Sequence, residues 1–229
     1  MSGAFGFIST GGFADPEFLT LIAKLASVQG PDQWGISWKK ERLAAFNSLK
    51  RNGSLRSRLL HPNLKIPLPF TDQSQVLLMV GHCRLAAPRT TDDLLFIQPT
   101  TDNKQTTAIV HKGSVESHEV IRDAYDFPFH PLDSQVFLEL IQGCPVFRFS
   151  QKCMSALMTT KSSPCFLLAA DKRSLFAFRD NEPIWRIDRP EGVYLCSHKA
   201  TDSARLLEER RPLYLTLPRN LESKDPRKQ

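Results

Sequence analysis

The sequence predicts an α+β protein in which helices flank layers of antiparallel sheet. Strand-like apolar runs outnumber helical segments, and turns as short as Asp171-Lys172-Arg173 join neighbouring runs. The helical segments fall between groups of strands instead of alternating with them one for one, which disfavours a parallel doubly wound sheet. The 229 residues fit one domain over residues 1–221. The polar tail at 222–229 is expected to be disordered.

The elements follow from local patterns. A helix is predicted over 16–28, because Asp15 can cap it, Pro16 suits its first turn and apolar residues recur at helical spacing. Other helices are predicted at 116–125, 134–142 and 200–210. After the N-terminal strand, further strands are predicted at 34–38, 42–46, 75–84, 94–98, 107–111, 165–171, 174–179, 184–187, 193–197 and 213–217.

The composition excludes several classes of protein. Hydrophobic residues make up 41% and charged residues 24%, as in an ordinary globular protein. The longest apolar runs are far shorter than a membrane span, and the N-terminus lacks the features of a signal peptide. We therefore expect a cytoplasmic protein without a membrane partner.

The five cysteines are odd in number and widely spaced, with no Cys-x-x-Cys pair and no histidine cluster beside them. This pattern favours reduced, buried thiols over a zinc site. No glycine-rich phosphate loop occurs. The sequence thus predicts neither a bound metal nor a cofactor.

The net charge of +6 raises the question of an anionic partner. The basic residues concentrate at Lys39, Lys40, Arg42, Lys50, Arg51, Arg56 and Arg58, and again at Lys224, Arg227 and Lys228. Such clusters fit nucleic acid, but Phe46 is the one aromatic residue that interleaves with the first cluster, and no nucleic-acid-binding motif is present. A solvated basic face, or a docking face for an acidic protein partner, is the favoured interpretation.

Several blocks resemble the class II glutamine amidotransferase domain in the same order. They are Ser2-Gly3-Ala4-Phe5-Gly6, Gln29-Gly30-Pro31-Asp32-Gln33-Trp34-Gly35-Ile36, Gly81-His82-Cys83-Arg84-Leu85-Ala86, Gln98-Pro99, His111-Lys112-Gly113-Ser114-Val115-Glu116-Ser117-His118-Glu119 and Asp133-Ser134-Gln135-Val136. The resemblance extends over residues 2–215. It implies a layered N-terminal-nucleophile-hydrolase-like sandwich of two antiparallel sheets flanked by helices.

The resemblance also implies roles for individual residues. Arg84, followed by Leu85, would bind the carboxylate of glutamine, and Asp133 would hold its amino group. Guanidinium and carboxylate form paired charge-assisted hydrogen bonds, which suits the first role. The alternative for Arg84 is a surface ion pair. The alternative for Asp133 is a cap on the helix predicted at 134–142.

Two catalytic positions depart from the family pattern. Ser2 stands where the family has a cysteine nucleophile; with Met1 removed, its hydroxyl and α-amine would act as nucleophile and base. Lys112 stands where the family has an asparagine that donates to the oxyanion, while Gly113 keeps the backbone donor. Lys112 would either replace that donor, through a long flexible stem, or keep the α-amine neutral by its charge.

Three functional hypotheses follow. The first is a glutaminase-type amidotransferase that binds glutamine and supplies ammonia to a separate synthetase. The second is a catalytically degenerate member of the fold that acts as a binding or regulatory subunit. The third is a nucleic-acid-associated protein in which the fold is incidental.

Overall fold

A computed structural model describes residues 2–60, 68, 75–86, 94–130, 132–160 and 165–219, apart from the side chain of Cys165. In these ranges, two antiparallel sheets pack face to face and helices cover their outer faces. This architecture confirms the predicted α+β layers. The predicted disordered tail at 222–229 and the domain limit at 221 lie outside the described residues.

The bounds of the elements are as follows. The strands are β1 (Ser2–Ser9), β2 (Gln33–Lys39), β3 (Asn47–Asn52), β4 (Leu78–Arg84), β5 (Thr100–Thr101), β6 (Ala108–Lys112), β7 (Cys165–Ala170), β8 (Ser174–Asp180), β9 (Trp185–Arg189), β10 (Gly192–Cys196), β11 (Arg205–Leu206) and β12 (Leu213–Thr216). The helices are α1 (Pro16–Ser27), α2 (Leu55–Leu60), α3 (His118–Tyr125), α4 (Gln135–Gly143) and α5 (Phe149–Thr160), with a short 3-10 helix at Leu94–Phe96.

The described strands form a first sheet in the order β11-β9-β10-β1-β4-β2-β3 and a second in the order β12-β8-β7-β6-β5. Alternate residues of each strand point to opposite faces. Residues such as Ile8, Val80, Val110 and Leu168 therefore form one core between the sheets. Helix α1 covers the outer face of the first sheet, and helices α4 and α5 cover that of the second. The result is a helix–sheet–sheet–helix sandwich.

Helix α1 begins as predicted. The Asp15 carboxylate accepts hydrogen bonds from the backbone N–H groups of Glu17 and Phe18, which satisfies two donors of the first turn. Its apolar stripe, with Leu19 and Ile22 fully buried, packs against the first sheet.

Three predicted elements are wrong. The strand predicted at 42–46 lies instead at Asn47–Asn52, because Phe46 is a buried anchor of the preceding turn. The run at 94–98 begins with the 3-10 helix, where Ile97 N–H bonds the Leu94 carbonyl. The segment 200–210 is not helical, because its residues Arg205–Leu206 pair with strand β9.

Two described helices were not predicted. On its inner face, helix α5 buries Phe149 and Leu157 together with the small residues Cys153, Ala156 and Thr160. Such a face gives a weak apolar periodicity in the sequence. Helix α2 is short and buries Leu55 against the core beneath α1.

The predicted solvated basic face is wrong for Lys39, because this side chain is fully buried between the sheets. Its ammonium donates to the carbonyls of Arg42 and Lys172, at 2.6 Å each, and lies over the Phe46 ring. Burial lowers the pKa of Lys39 to about 8. Lys39 is therefore no part of a solvated surface. Separately, none of the helices within the described ranges is long and apolar enough to cross a membrane.

Candidate functional site

The residues predicted to form the site converge at one end of the sandwich, here called the Ser2 end. Strand β1 starts there with Ser2, which lies directly opposite Arg84, the last residue of β4. Both belong to the alternating set of positions that faces the second sheet. Lys112 ends β6 in that second sheet, on the same inter-sheet face as Ala108 and Val110. Ser2 and Arg84 are thus neighbours across the first sheet.

The charge of Asp133 acts on the guanidinium of Arg84. Burial lowers the pKa of Arg84, and the negative charge of Asp133 opposes that shift. One guanidinium N–H donates to the Phe96 carbonyl at 2.5 Å. This backbone contact anchors the Arg84 side chain, which is partly buried.

The Gly30-Pro31-Asp32 block holds the strand end that carries Arg84. A Cβ at Gly30 would lie 2.3 Å from backbone atoms of Cys83 and Arg84, so only glycine fits at this close approach. The Asp32 N–H donates to the Arg84 carbonyl at 3.2 Å. The Asp32 carboxylate accepts from the Ala86 N–H at 3.0 Å. This block therefore sets the position of Arg84 by backbone contacts on both sides.

Asp133 joins the loop after β6 to the start of α4. Its carboxylate accepts from the backbone N–H groups of Val115, at 2.9 Å, and Ser134, at 2.7 Å. Helix α4 starts at Gln135 with Ser134 as the N-cap residue, and the Asp133 carboxylate accepts from the Ser134 N–H directly before that helix, so the ligand role and the helix-cap role of Asp133 both stay predictions. The two amide donors fix the carboxylate near Arg84.

Gln98 connects the strand that carries Lys112 with the helix that follows Asp133. Its side-chain oxygen accepts from the His111 N–H at 2.6 Å, and its amide nitrogen donates to the Ser134 hydroxyl at 3.1 Å. Because the bridge is buried, loss of Gln98 would leave a strand donor unsatisfied. The Gln98-Pro99 block thus has a positioning role that the sequence did not reveal.

Lys112 has a partner that the sequence did not predict. Its ammonium lies 2.7 Å from the carboxylate of Glu182, and the two side chains are only 17% and 30% exposed. Glu182 follows β8, and 70 residues separate the two partners. The pairing orients the long lysine stem and offsets its charge. Next to it, Gly113 has a φ of 134°, a conformation that favours glycine.

The nearby histidines and cysteine are buried parts of the core. Burial, followed by the charge of Arg84, lowers the pKa of His82 to about 3, and burial lowers that of His111 to about 4. Both are therefore neutral at pH 7. Cys83 points to the opposite face, towards α1, as the strand alternation predicts. Leu85, beyond the end of β4, is half exposed, and its role stays a prediction.

No protein-family profile and no curated protein matches the chain. Solved structures do match. Glutamine phosphoribosylpyrophosphate amidotransferase from B. subtilis superposes with a TM-score of 0.70 at 17% identity, over 93% of this chain and 47% of that one. An allosteric regulatory enzyme of purine biosynthesis gives 0.72 at 18% identity, with the same coverage. A glutamine aminotransferase class-II domain protein from Silicibacter pomeroyi gives 0.61 at 13% identity, over 93% and 94%.

The chain has the fold of a class II glutamine amidotransferase domain. It spans about half the length of the first two enzymes. The likeness confirms the predicted sandwich of two antiparallel sheets with flanking helices. Within the described part of this amidotransferase fold, no cluster of three or more His, Cys, Asp or Glu residues is arranged to hold a metal ion.

Proposed function

We propose that the chain binds glutamine at the Ser2 end and hydrolyses its side-chain amide, releasing ammonia for a separate synthetase. The observation that supports this best is the register of β1 and β4, which sets Ser2 opposite Arg84. The Asp133 charge acts on the same guanidinium. A nucleophile, a cation and an anion therefore share one end of the inter-sheet space.

The cation and the anion match the two charges of an α-amino acid. In the proposed complex, Arg84 binds the α-carboxylate through parallel N–H donors. Asp133 accepts from the α-ammonium, since a carboxylate offers about four acceptor positions and the described backbone donors occupy two of them. The side-chain amide of glutamine then extends towards Ser2.

The proposed chemistry uses Ser2 as the first residue, after removal of Met1. The Ser2 hydroxyl attacks the amide carbon while its proton passes to the α-amine. The Lys112 ammonium and the Gly113 N–H stabilise the oxyanion. When the C–N bond breaks, ammonia leaves with the proton from the α-amine and the glutamyl group remains as an ester. Water then hydrolyses the ester to glutamate and restores Ser2.

A second candidate is a subunit that binds glutamine without turning it over. Two observations favour it: Ser2 is a weaker nucleophile than a cysteine thiolate, and the ammonium of Lys112 is engaged by Glu182. Loss of one oxyanion donor lowers turnover by about 10² to 10³ in other enzymes.

A glutaminase assay separates these candidates. The protein is prepared with Ser2 as its first residue, verified by mass spectrometry, beside Ser2→Ala and Ser2→Cys variants. The proposal predicts ammonia release that disappears in Ser2→Ala and increases in Ser2→Cys. Glutamine binding without ammonia release by any of the three proteins would favour the second candidate. Absence of glutamine binding, measured by calorimetry, would refute both.

A further inference from the structure

We infer that Glu182 is a specificity-determining residue, which together with Lys112 recognises the side-chain amide of glutamine and rejects the carboxylate of glutamate. The inference rests on the proposed function and adds to it a residue outside every block of the family resemblance. It concerns the ligand's side-chain end, whereas Arg84 and Asp133 concern its α-amino-acid end.

The connection after β8 brings Glu182 to the Ser2 end. The Glu182 N–H donates to the Asp180 carbonyl at 2.9 Å, directly after β8 ends. In the second sheet, β7 lies between β8 and β6, with Phe166 opposite both Lys112 and Arg179. The Glu182 side chain therefore reaches across the end of β7 to meet the Lys112 ammonium.

The Lys112 charge acts on two histidines that neighbour the first residues of β1 in the fold. Burial and the charges around it, including that of Lys112, lower the pKa of His82, which pairs with Ala4 across the strands. Burial, followed by the Lys112 charge, lowers the pKa of His198. His198 comes directly after Ser197, whose hydroxyl accepts from the Ala4 N–H. Gln98, which accepts from the His111 N–H next to Lys112, also packs its carbonyl against Gly35 opposite His82. The end of β6 that carries the ion pair therefore lies at the strand ends that carry Ser2 and Arg84.

The ion pair presents one donor group and one acceptor group side by side. The ammonium has three N–H donors, of which Glu182 takes one in the described contacts, and the carboxylate accepts only. A primary amide offers the complement, with a carbonyl that accepts and an NH₂ group that donates. Glutamine can therefore satisfy both partners at once.

Glutamate cannot do so. Its side-chain carboxylate has no donor for Glu182 and would bring two negative charges together. Both side chains of the pair are largely shielded from water, so screening of that repulsion is weak. Sites that hydrogen-bond a substrate group discriminate strongly against an analogue that lacks the group, because a polar partner then stays unpaired. Glu182 supplies the acceptor for that discrimination. Its negative charge would also weaken the binding of glutamate, the product of the proposed reaction.

Isothermal calorimetry with glutamine and glutamate tests the inference in the Ser2→Ala background, which prevents turnover. Three proteins are compared: Ser2→Ala alone, Ser2→Ala with Glu182→Gln, and Ser2→Ala with Glu208→Gln. Glu208 is the matched control, since its carboxylate also pairs with a cation, Arg211, at 2.8 Å, but on an exposed surface. A glutamine at 182 keeps the shape and can donate to a ligand carboxylate.

The Ser2→Ala protein should bind glutamine at least about tenfold more tightly than glutamate. Glu182→Gln should reduce that ratio by about tenfold, mainly by strengthening glutamate binding, and Glu208→Gln should leave it unchanged. An unchanged ratio in Glu182→Gln, or the same change in Glu208→Gln, would overturn this inference alone. Absence of binding of either amino acid to all three proteins would refute the proposed function and with it this inference.

Discussion

Two lysines on the inter-sheet faces of the sandwich have opposite environments. Lys39 ends β2 at the far end of the sandwich, where its buried ammonium bonds two backbone carbonyls, one from each side of the inter-sheet space. Lys112 ends β6 at the Ser2 end, where its ammonium bonds the side chain of Glu182 and both groups keep some contact with solvent. Backbone partners are fixed by the fold, whereas a side-chain partner can also accept a ligand.

The Lys39 ammonium therefore has a structural role, whereas the Lys112 ammonium is available to bind a ligand. Lys39 joins the turn after β2 to the Lys172 turn between β7 and β8, and no space is left around its ammonium. Lys112 faces the end where Ser2 and Arg84 meet. We therefore expect substitutions of Lys39 to change stability and substitutions at the Ser2 end to change ligand binding.

The largest expected effect is on stability. Lys39→Ala should lower the free energy of unfolding by about 3 kcal/mol or more, because it leaves two buried carbonyls without a donor and a cavity beside Phe46. Lys112→Ala should cost less, about 1 kcal/mol, since the Glu182 carboxylate that loses its partner is 30% exposed and can be hydrated. Urea unfolding at pH 7 measures both. Equal losses would contradict the comparison.

The next effect is a pH dependence specific to Lys39. Its pKa is about 8 in the folded protein against 10.5 ordinarily, so the unfolded chain holds the proton between these values while the folded chain releases it. Stability from this group therefore rises with pH over that window, by up to about 3 kcal/mol. The unfolding free energy of the wild type relative to Lys39→Met should rise accordingly between pH 7 and pH 10. A constant difference would show that Lys39 titrates normally.

A smaller free-energy effect, on binding instead of stability, is expected at the Ser2 end. Arg84→Ala should weaken glutamine binding about a hundredfold, or about 2.7 kcal/mol, because the α-carboxylate loses its charged partner. Arg211→Ala is the matched control, since Arg211 is exposed and pairs only with Glu208 among the described salt bridges. Calorimetry on the Ser2→Ala background measures both. A similar loss in the two variants would point to a general charge effect.

The smallest effect concerns the exposed ion pair itself. Glu208→Gln should change the free energy of unfolding by less than about 0.5 kcal/mol, because both side chains of the Glu208–Arg211 pair are mostly in solvent. Thermal unfolding beside Glu182→Gln measures the contrast between an exposed and a largely shielded pair. If Glu208→Gln lowered the free energy of unfolding more than Glu182→Gln does, the Lys112–Glu182 pair would not be the more shielded of the two.

The sequence predicted the parts of the fold that depend on local patterns. Helix α1 has its cap at Asp15, and Cys83 is a buried thiol, as predicted. One of the wrong elements shows how a distant contact can override a local pattern. Residues 200–210 have helical composition, but Arg205 and Leu206 complete the edge of the first sheet.

In the candidate site, too, the sequence predicted the residues that stand in local blocks and missed one that depends on a distant contact. Ser2, Arg84, Lys112 and Asp133 stand in recognisable blocks, and the fold brings their segments to one end. Glu182 stands in no block, and among the described contacts its side-chain ion pair with Lys112 connects it to the Ser2 end. A contact of this kind leaves no periodicity or spacing in the sequence.

In the proposed complex, an amino acid lies between Arg84 and Asp133 with its side chain directed at residue 2. A crystal structure of the Ser2→Ala protein with saturating glutamine tests it most directly. We predict the α-carboxylate on the Arg84 guanidinium, the α-ammonium on Asp133 and the side-chain amide between Lys112 and Glu182. Glutamine bound elsewhere, or an empty Ser2 end at saturation, would contradict the account.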